Sequence, residues 1–121
     1  MKLVNRILVF GLMLFVLSEA QAQWSGRNRI ESIQIIDGAG YVRLAITSNA
    51  NPASCLNTTF IDYQLDTSGG NAAEQQIILD AFQMALIMSQ PVEFFIDTTN
   101  CSTVNTSASI RIATGFRIYR T

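Results

Sequence analysis

The chain has 121 residues, 49% of them hydrophobic and 14% charged, with eight Lys and Arg against nine Asp and Glu and no His. That length makes one domain. The slightly acidic balance excludes the basic excess with which nucleic-acid binders neutralise phosphates, and the absence of His removes the common Ser-His-Asp triad.

Met1 to Arg6 carries two cations, Lys2 and Arg6, and no acid. Ile7 to Leu17 is then unbroken apolar sequence, and Ser18-Glu19-Ala20-Gln21-Ala22 closes on small residues at an A-x-A site. This pattern predicts a signal peptide over 1–22, cleaved after Ala22. The apolar run is too short for a span, which needs about 20 residues. Residues 23–121 are then a single exported domain, periplasmic or secreted, with six Arg, no Lys and eight acids. In an oxidising compartment Cys55 and Cys101, both set in Asn/Ser/Thr-rich sequence, are predicted to form a disulfide.

Gln23 to Asn28 reads as a polar lead-in. Arg29 to Ile36 and Tyr41 to Thr47 read as a hairpin around Asp37-Gly38-Ala39-Gly40. Ser48 to Asn57 is a loop. Thr59 to Leu65 is a third strand with Ile61, Tyr63 and Leu65 on one face, broken by Asp66 to Gly70. Asn71 and Glu74 have the spacing of a capping box and open a helix that runs to about Ser89. Pro91 stops it, because the residue before proline avoids helical geometry. Pro91 to Asp97 is a fourth strand with Val92, Phe94 and Ile96 inward. Thr98 to Ser107 is a loop. Ala108 to Arg120 is the last strand, placing Ile110, Ile112, Phe116 and Ile118 together, with a bend or bulge at Gly115. The order β-β-β-α-β-β predicts a mainly β, α+β domain, an OB-fold-like five-stranded barrel. A two-layer α+β sandwich is the rival.

The helix carries two apolar stripes. Ile78, Phe82, Ala85 and Leu86 can cover the barrel. Ile77, Ala81, Met84 and Met88 form a second stripe, and the whole arc is wider than a one-sided helix needs. That second stripe is the candidate oligomer interface; loops of the same chain covering it are the alternative.

No constellation of catalytic groups stands out. Glu93 and Asp97 share a strand face, but acid–base catalysis by paired carboxylates needs a cleft that separates their pKa values, and solvated outer-face charges are the simpler reading. No metal or cofactor motif is present. Asn57, Asn100 and Asn105 each begin a glycosylation sequon, which has meaning only in a glycosylating host. Tyr41, Phe60, Phe95 and Tyr119 fall outward if the alternation holds, alongside Arg43, Arg111 and Arg117. Aromatic rings with guanidinium groups suit a sugar- or protein-binding surface.

Gln23-Trp24-Ser25-Gly26, Tyr41-Val42-Arg43-Leu44, Asn51-Pro52-Ala53-Ser54-Cys55 and the run from Ile78 to Phe94 together give a resemblance. The chain resembles small exported bacterial proteins related to the B subunits of pertussis-like and subtilase-type toxins, particularly single-disulfide members with an Asn-Pro-Ala-x-Cys loop. The resemblance spans nearly all of 23–121. It implies an OB-fold, no catalytic activity, ring-forming homo-oligomers with helices lining the centre, and glycan binding on the outside, with Ser25 or Ser32 matching a sialic-acid-binding serine. The chain departs from those subunits in having one cysteine pair and in lacking a Trp-Thr-Tyr-Pro segment after the fourth strand.

The expectation is an exported, non-enzymatic binding module, glycan-binding and ring-forming, with Trp24, Ser25, Ser32, Tyr41, Arg43 and Tyr119 as ligand-binding candidates. The alternative is a monomeric periplasmic protein-interaction or inhibitor module. The expected partner is a glycan or another envelope or secreted protein, with no nucleic acid, no cofactor and no membrane span after cleavage.

Overall fold

A computed structural model describes residues 22–36, 40–65 and 72–121. The predicted signal peptide, apart from Ala22, lies outside these residues, as do Asn71 and the break at 66–70. The described residues form five strands, β1 (Ala22–Ile36), β2 (Tyr41–Ile46), β3 (Asn57–Gln64), β4 (Pro91–Ser102) and β5 (Ile110–Ile118), and one helix, α1 (Ala72–Ile87), placed between β3 and β4. The sheet closes on itself in the order β1-β2-β3-β5-β4. Among the described strands only β3 and β5 run parallel. This is a closed five-stranded barrel with a single helix, of the OB-fold-like α+β class.

Three strands differ from the sequence expectation, each for a tertiary reason. β1 extends back through the polar lead-in because β4 offers it a ladder, from Ala22↔Asp97 to Arg29↔Pro91. Gly26, at φ 78°, lies in a bulge between Trp24 and Arg27, a left-handed position that glycine adopts without a Cβ penalty. Beyond the bend the same strand pairs with β2, from Ile30↔Ile46 to Ile36↔Tyr41. One long strand thus serves two neighbours, which closes the barrel. β4 likewise continues through the polar Thr98–Ser102, where Cys101 and Ser102 pair with Arg111 and Ile110.

β5 corrects a face assignment. Phe95 pairs with Gly115 but Ile96 pairs with Ala113, so Thr114 is an extra residue in the ladder. Because side chains alternate with period two, one inserted residue reverses the phase. Ala113, Phe116 and Ile118 therefore reach the main core, whereas Ile110 and Ile112 are buried outside it.

The core alternates as the strands require: Val42, Leu44 and Ile46; Ile61 and Tyr63; Val92, Phe94 and Ile96. α1 closes it with Phe82 and Ala85, its two buried residues. The Phe82 ring meets Tyr63, Phe94 and Phe116 at centroid distances of 5.1, 5.9 and 4.6 Å. Burying such a ring contributes about 3 kcal/mol. The helix ends in a Schellman arrangement: Gln90 N–H donates to Ala85 C=O and Ser89 N–H to Leu86 C=O, with Ser89 at φ 51° where glycine is usual. Pro91 then opens β4.

Candidate functional site

The outer side of β1, β4 and β5 gathers aromatic rings and guanidinium groups in two ladder rows. In the first, Trp24 of β1 pairs with Phe95 of β4, which pairs with Gly115 of β5. In the second, Arg27, Glu93 and Arg117 lie side by side. The bulge at Gly26 sets Trp24 and Arg27 into this arrangement. The Trp24 and Phe95 rings pack at 4.7 Å between centroids. The Arg117 guanidinium lies over the Trp24 ring at 4.1 Å, and that of Arg27 over the Tyr119 ring at 3.8 Å. Tyr119 donates its hydroxyl to Glu93 Oε1 at 3.1 Å. Exposed cation–π pairs contribute about 0.5–1 kcal/mol each. Gly115 lies against Phe95 in this row, where a Cβ on it would make ordinary van der Waals contact with Phe95 Cβ at 3.4 Å.

Trp24 and Tyr119 are thus brought into one surface with Phe95 and Arg117 of the predicted outward set, and the structure adds Arg27 and Glu93. Arg27 escaped sequence reasoning because it sat in the supposed lead-in; its spacing from Trp24 has meaning only once Gly26 is known to bulge. The other candidates lie apart. Ser25 is absorbed by the bulge: its hydroxyl donates to Gly26 C=O and accepts Phe94 N–H, at 2.8 and 2.9 Å. Ser32 is exposed on the half of β1 that pairs with β2, and Tyr41 starts β2 opposite Ile36 and Gln64.

Arg43 and Arg111 do not lie on an open outer surface. Arg43 is only 6% exposed. It grips Asp62 through Nε–Oδ1 at 2.7 Å and Nη2–Oδ2 at 2.9 Å, and Nη2 also donates to Val104 C=O. The hydrogen bond to Asp62 raises the guanidinium pKa above its ordinary value, burial opposing it. Arg111 is fully buried and has carbonyls as its hydrogen-bond partners: Ser48 at 2.7 Å, Ala50 at 2.9 Å, Thr58 at 2.6 Å and Phe60 at 3.3 Å. Burial lowers its pKa. Thr58 and Phe60 fall in the irregular stretch of the β3–β5 ladder between Asn57 and Ile61, so Arg111 supplies donors that the ladder does not. The predicted Cys55–Cys101 disulfide is formed. Cys101 pairs with Arg111, which puts the covalent tie and the buried cation side by side.

The second helix stripe is largely in solvent. Ile77, Met84 and Met88 are 67%, 55% and 56% exposed, Ile87 beside them is 78% exposed, and Ala81 is half-buried. A cleft of about 460 Å³ is lined by Tyr63, Leu65, Ile77, Ile78 and Thr114 among others, away from the arginine–aromatic face. Glu93 and Asp97 do not meet. Partial burial pushes the Asp97 pKa up, but amide and side-chain hydrogen bonds from Thr99 and Asn100 outweigh it and hold the carboxyl below its ordinary value. That is a turn-stabilising carboxylate.

Fold and surface define the class: a disulfide-tied, OB-fold-like barrel presenting an arginine–aromatic sheet face. Comparison of the chain with family profiles, curated proteins and solved structures gives no significant match.

Proposed function

We propose that this chain is an exported, non-enzymatic binding module that engages another envelope or secreted protein through the outer β1–β4–β5 face. The observation that carries this reading is the coupling of Arg117 to Trp24 and of Arg27 to Tyr119. A sugar would stack on exposed ring faces, and here guanidinium groups already lie on those faces. Trp, Tyr and Arg are also the residues that dominate protein-interface energetics. Export is supported by the A-x-A leader and by the disulfide, which belongs to oxidising compartments.

Self-assembly is the second reading, favoured by one observation: the contiguous exposed Ile77, Met84, Ile87 and Met88 on α1. A ring with helices lining its centre, as in the toxin B subunits the sequence resembles, would cover them.

The test is site-specific photo-crosslinking in cells expressing the full chain, with p-benzoylphenylalanine at exposed Arg120 or at Met84. The expected result is one discrete heterologous adduct from Arg120, on a chain whose intact mass shows cleavage after Ala22 and an oxidised Cys55–Cys101 pair. Ladders of self-adducts from Met84 with none from Arg120 would make the module an assembly protein instead. An uncleaved, reduced chain would sink the export reading.

A further inference from the structure

We infer that the β1–β4–β5 face docks an acidic segment of a partner protein, with Arg27 and Arg117 holding its carboxylates; this rests on the binding-module reading above and names the partner's chemistry.

The accessible positive charge is concentrated around this face. Of the six described arginines, Arg43 and Arg111 are buried. The remaining four are exposed: Arg27 and Arg29 on β1 and Arg117 on β5, the two strands that flank β4, with Arg120 just beyond β5. Arg27 and Arg117 flank Glu93, and Arg29 pairs with Pro91, whose carbonyl accepts Tyr119 N–H. The exposed acids Glu31, Glu74 and Asp80 lie on α1 and farther along β1. An overall acidic domain thus carries three of its four accessible arginines, Arg27, Arg29 and Arg117, on the strands flanking β4, and complementary charge selects and steers an acidic partner.

Two of these guanidinium groups hold unused hydrogen-bonding capacity in a fixed geometry. Among the described residues neither Arg27 nor Arg117 donates a hydrogen bond; the nearest carboxylate to Arg117 is Glu93 at 3.9 Å, beyond bonding distance. Lying over a ring satisfies the face of a guanidinium and leaves its in-plane N–H fork open, and that fork matches the two oxygens of a carboxylate. The rings restrict both side chains before any ligand arrives, so less rotamer entropy is lost on binding.

The acid between the two arginines favours a protein over a polyanionic sugar. Glu93 sits between the two cations with its side chain 16% exposed. An unbroken run of sulfates or uronates crossing from Arg27 to Arg117 meets that carboxylate. A peptide places acids at the two arginines and a neutral side chain between them, against Trp24 and Phe95.

The experiment is an NMR titration of the exported, oxidised protein with the peptide (Glu-Gly-Tyr)4, alongside (Lys-Gly-Tyr)4, heparin and a neutral oligosaccharide. The expected result is that only (Glu-Gly-Tyr)4 saturably shifts the Trp24 indole and the Arg27 and Arg117 Nε–H signals. Arg27→Gln/Arg117→Gln weakens that binding about tenfold or more while the protein stays folded, its melting midpoint lowered only by what the two lost cation–π contacts account for. Arg27→Lys/Arg117→Lys weakens it too, because lysine keeps the charge and loses the fork. Shifts from heparin in preference to the peptide would overturn the partner class and leave the face as a binding surface. Shifts that survive the Gln pair, or that fall on α1 instead, would overturn the inference while a binding module stands. Silence from every probe, with no adduct from Arg120 in cells, would remove both.

Discussion

Two pairs of arginines in one small barrel behave in opposite ways. Arg43 and Arg111 are buried among Asp62 and loop carbonyls beside the disulfide. Arg27 and Arg117 lie on aromatic rings in solvent. All four sit on strands. What separates them is the supply of acceptors: irregular loops and the broken β3–β5 ladder leave carbonyls that a buried guanidinium can collect, whereas Arg27 and Arg117 lie in a paired row with Glu93 and stay on the outside of the sheet. The first pair holds the fold, and the second faces solvent.

The sharpest way to break this contrast is to remove one arginine of each kind. Arg111→Met leaves the carbonyls of Ser48, Ala50, Thr58 and Phe60 short of donors in a dry site. It is expected to cost roughly 5 kcal/mol, whereas Arg117→Gln on the exposed face costs about 1 kcal/mol or less. Urea unfolding of the two variants decides it; comparable losses would erase the distinction. Next in size is the covalent tie. With 46 residues of sequence separation, Cys55→Ala/Cys101→Ala is expected to cost roughly 4 kcal/mol in the chain-entropy account. If Arg111 and the disulfide brace the same carbonyl-rich end, their losses will be non-additive in a double-mutant cycle.

The smallest effect concerns Tyr63, a core residue at 6% exposure. Burial raises its phenol pKa above the ordinary 10.0. A raised folded value means the stabilising contribution is fully present below pH 10.0 and is lost as pH rises through the folded value. Urea midpoints measured from pH 8 upward are expected to fall on the alkaline side in the natural chain and to fall less steeply in Tyr63→Phe. Equal slopes would show that the ring titrates as if in water.

Much of the barrel was legible in the chain. The alternations in Tyr41–Thr47 and Pro91–Asp97, the proline after the helix and the pairing of two cysteines correspond directly to β2, β4, the end of α1 and the disulfide. Those signals are local, and local chemistry is what a sequence displays. The candidate site was legible only in pieces. Trp24 and Tyr119 are 95 residues apart in the chain and share a surface because β4 lies between their strands. Arg27 joined them through a bulge that a lone Gly26 does not announce.

By itself, the sequence determined the class, the element order, the inward faces of β2 and β4 and the two-sided apolar character of α1, because period-two and period-3.6 patterns register burial residue by residue. Only the tertiary structure decided that β1 serves two neighbours, that Thr114 reverses the phase of β5, and which arginines are buried and which remain outside. Those outcomes depend on which backbone groups are left without partners once the barrel closes, and that is a property of the closed sheet, not of any segment within it.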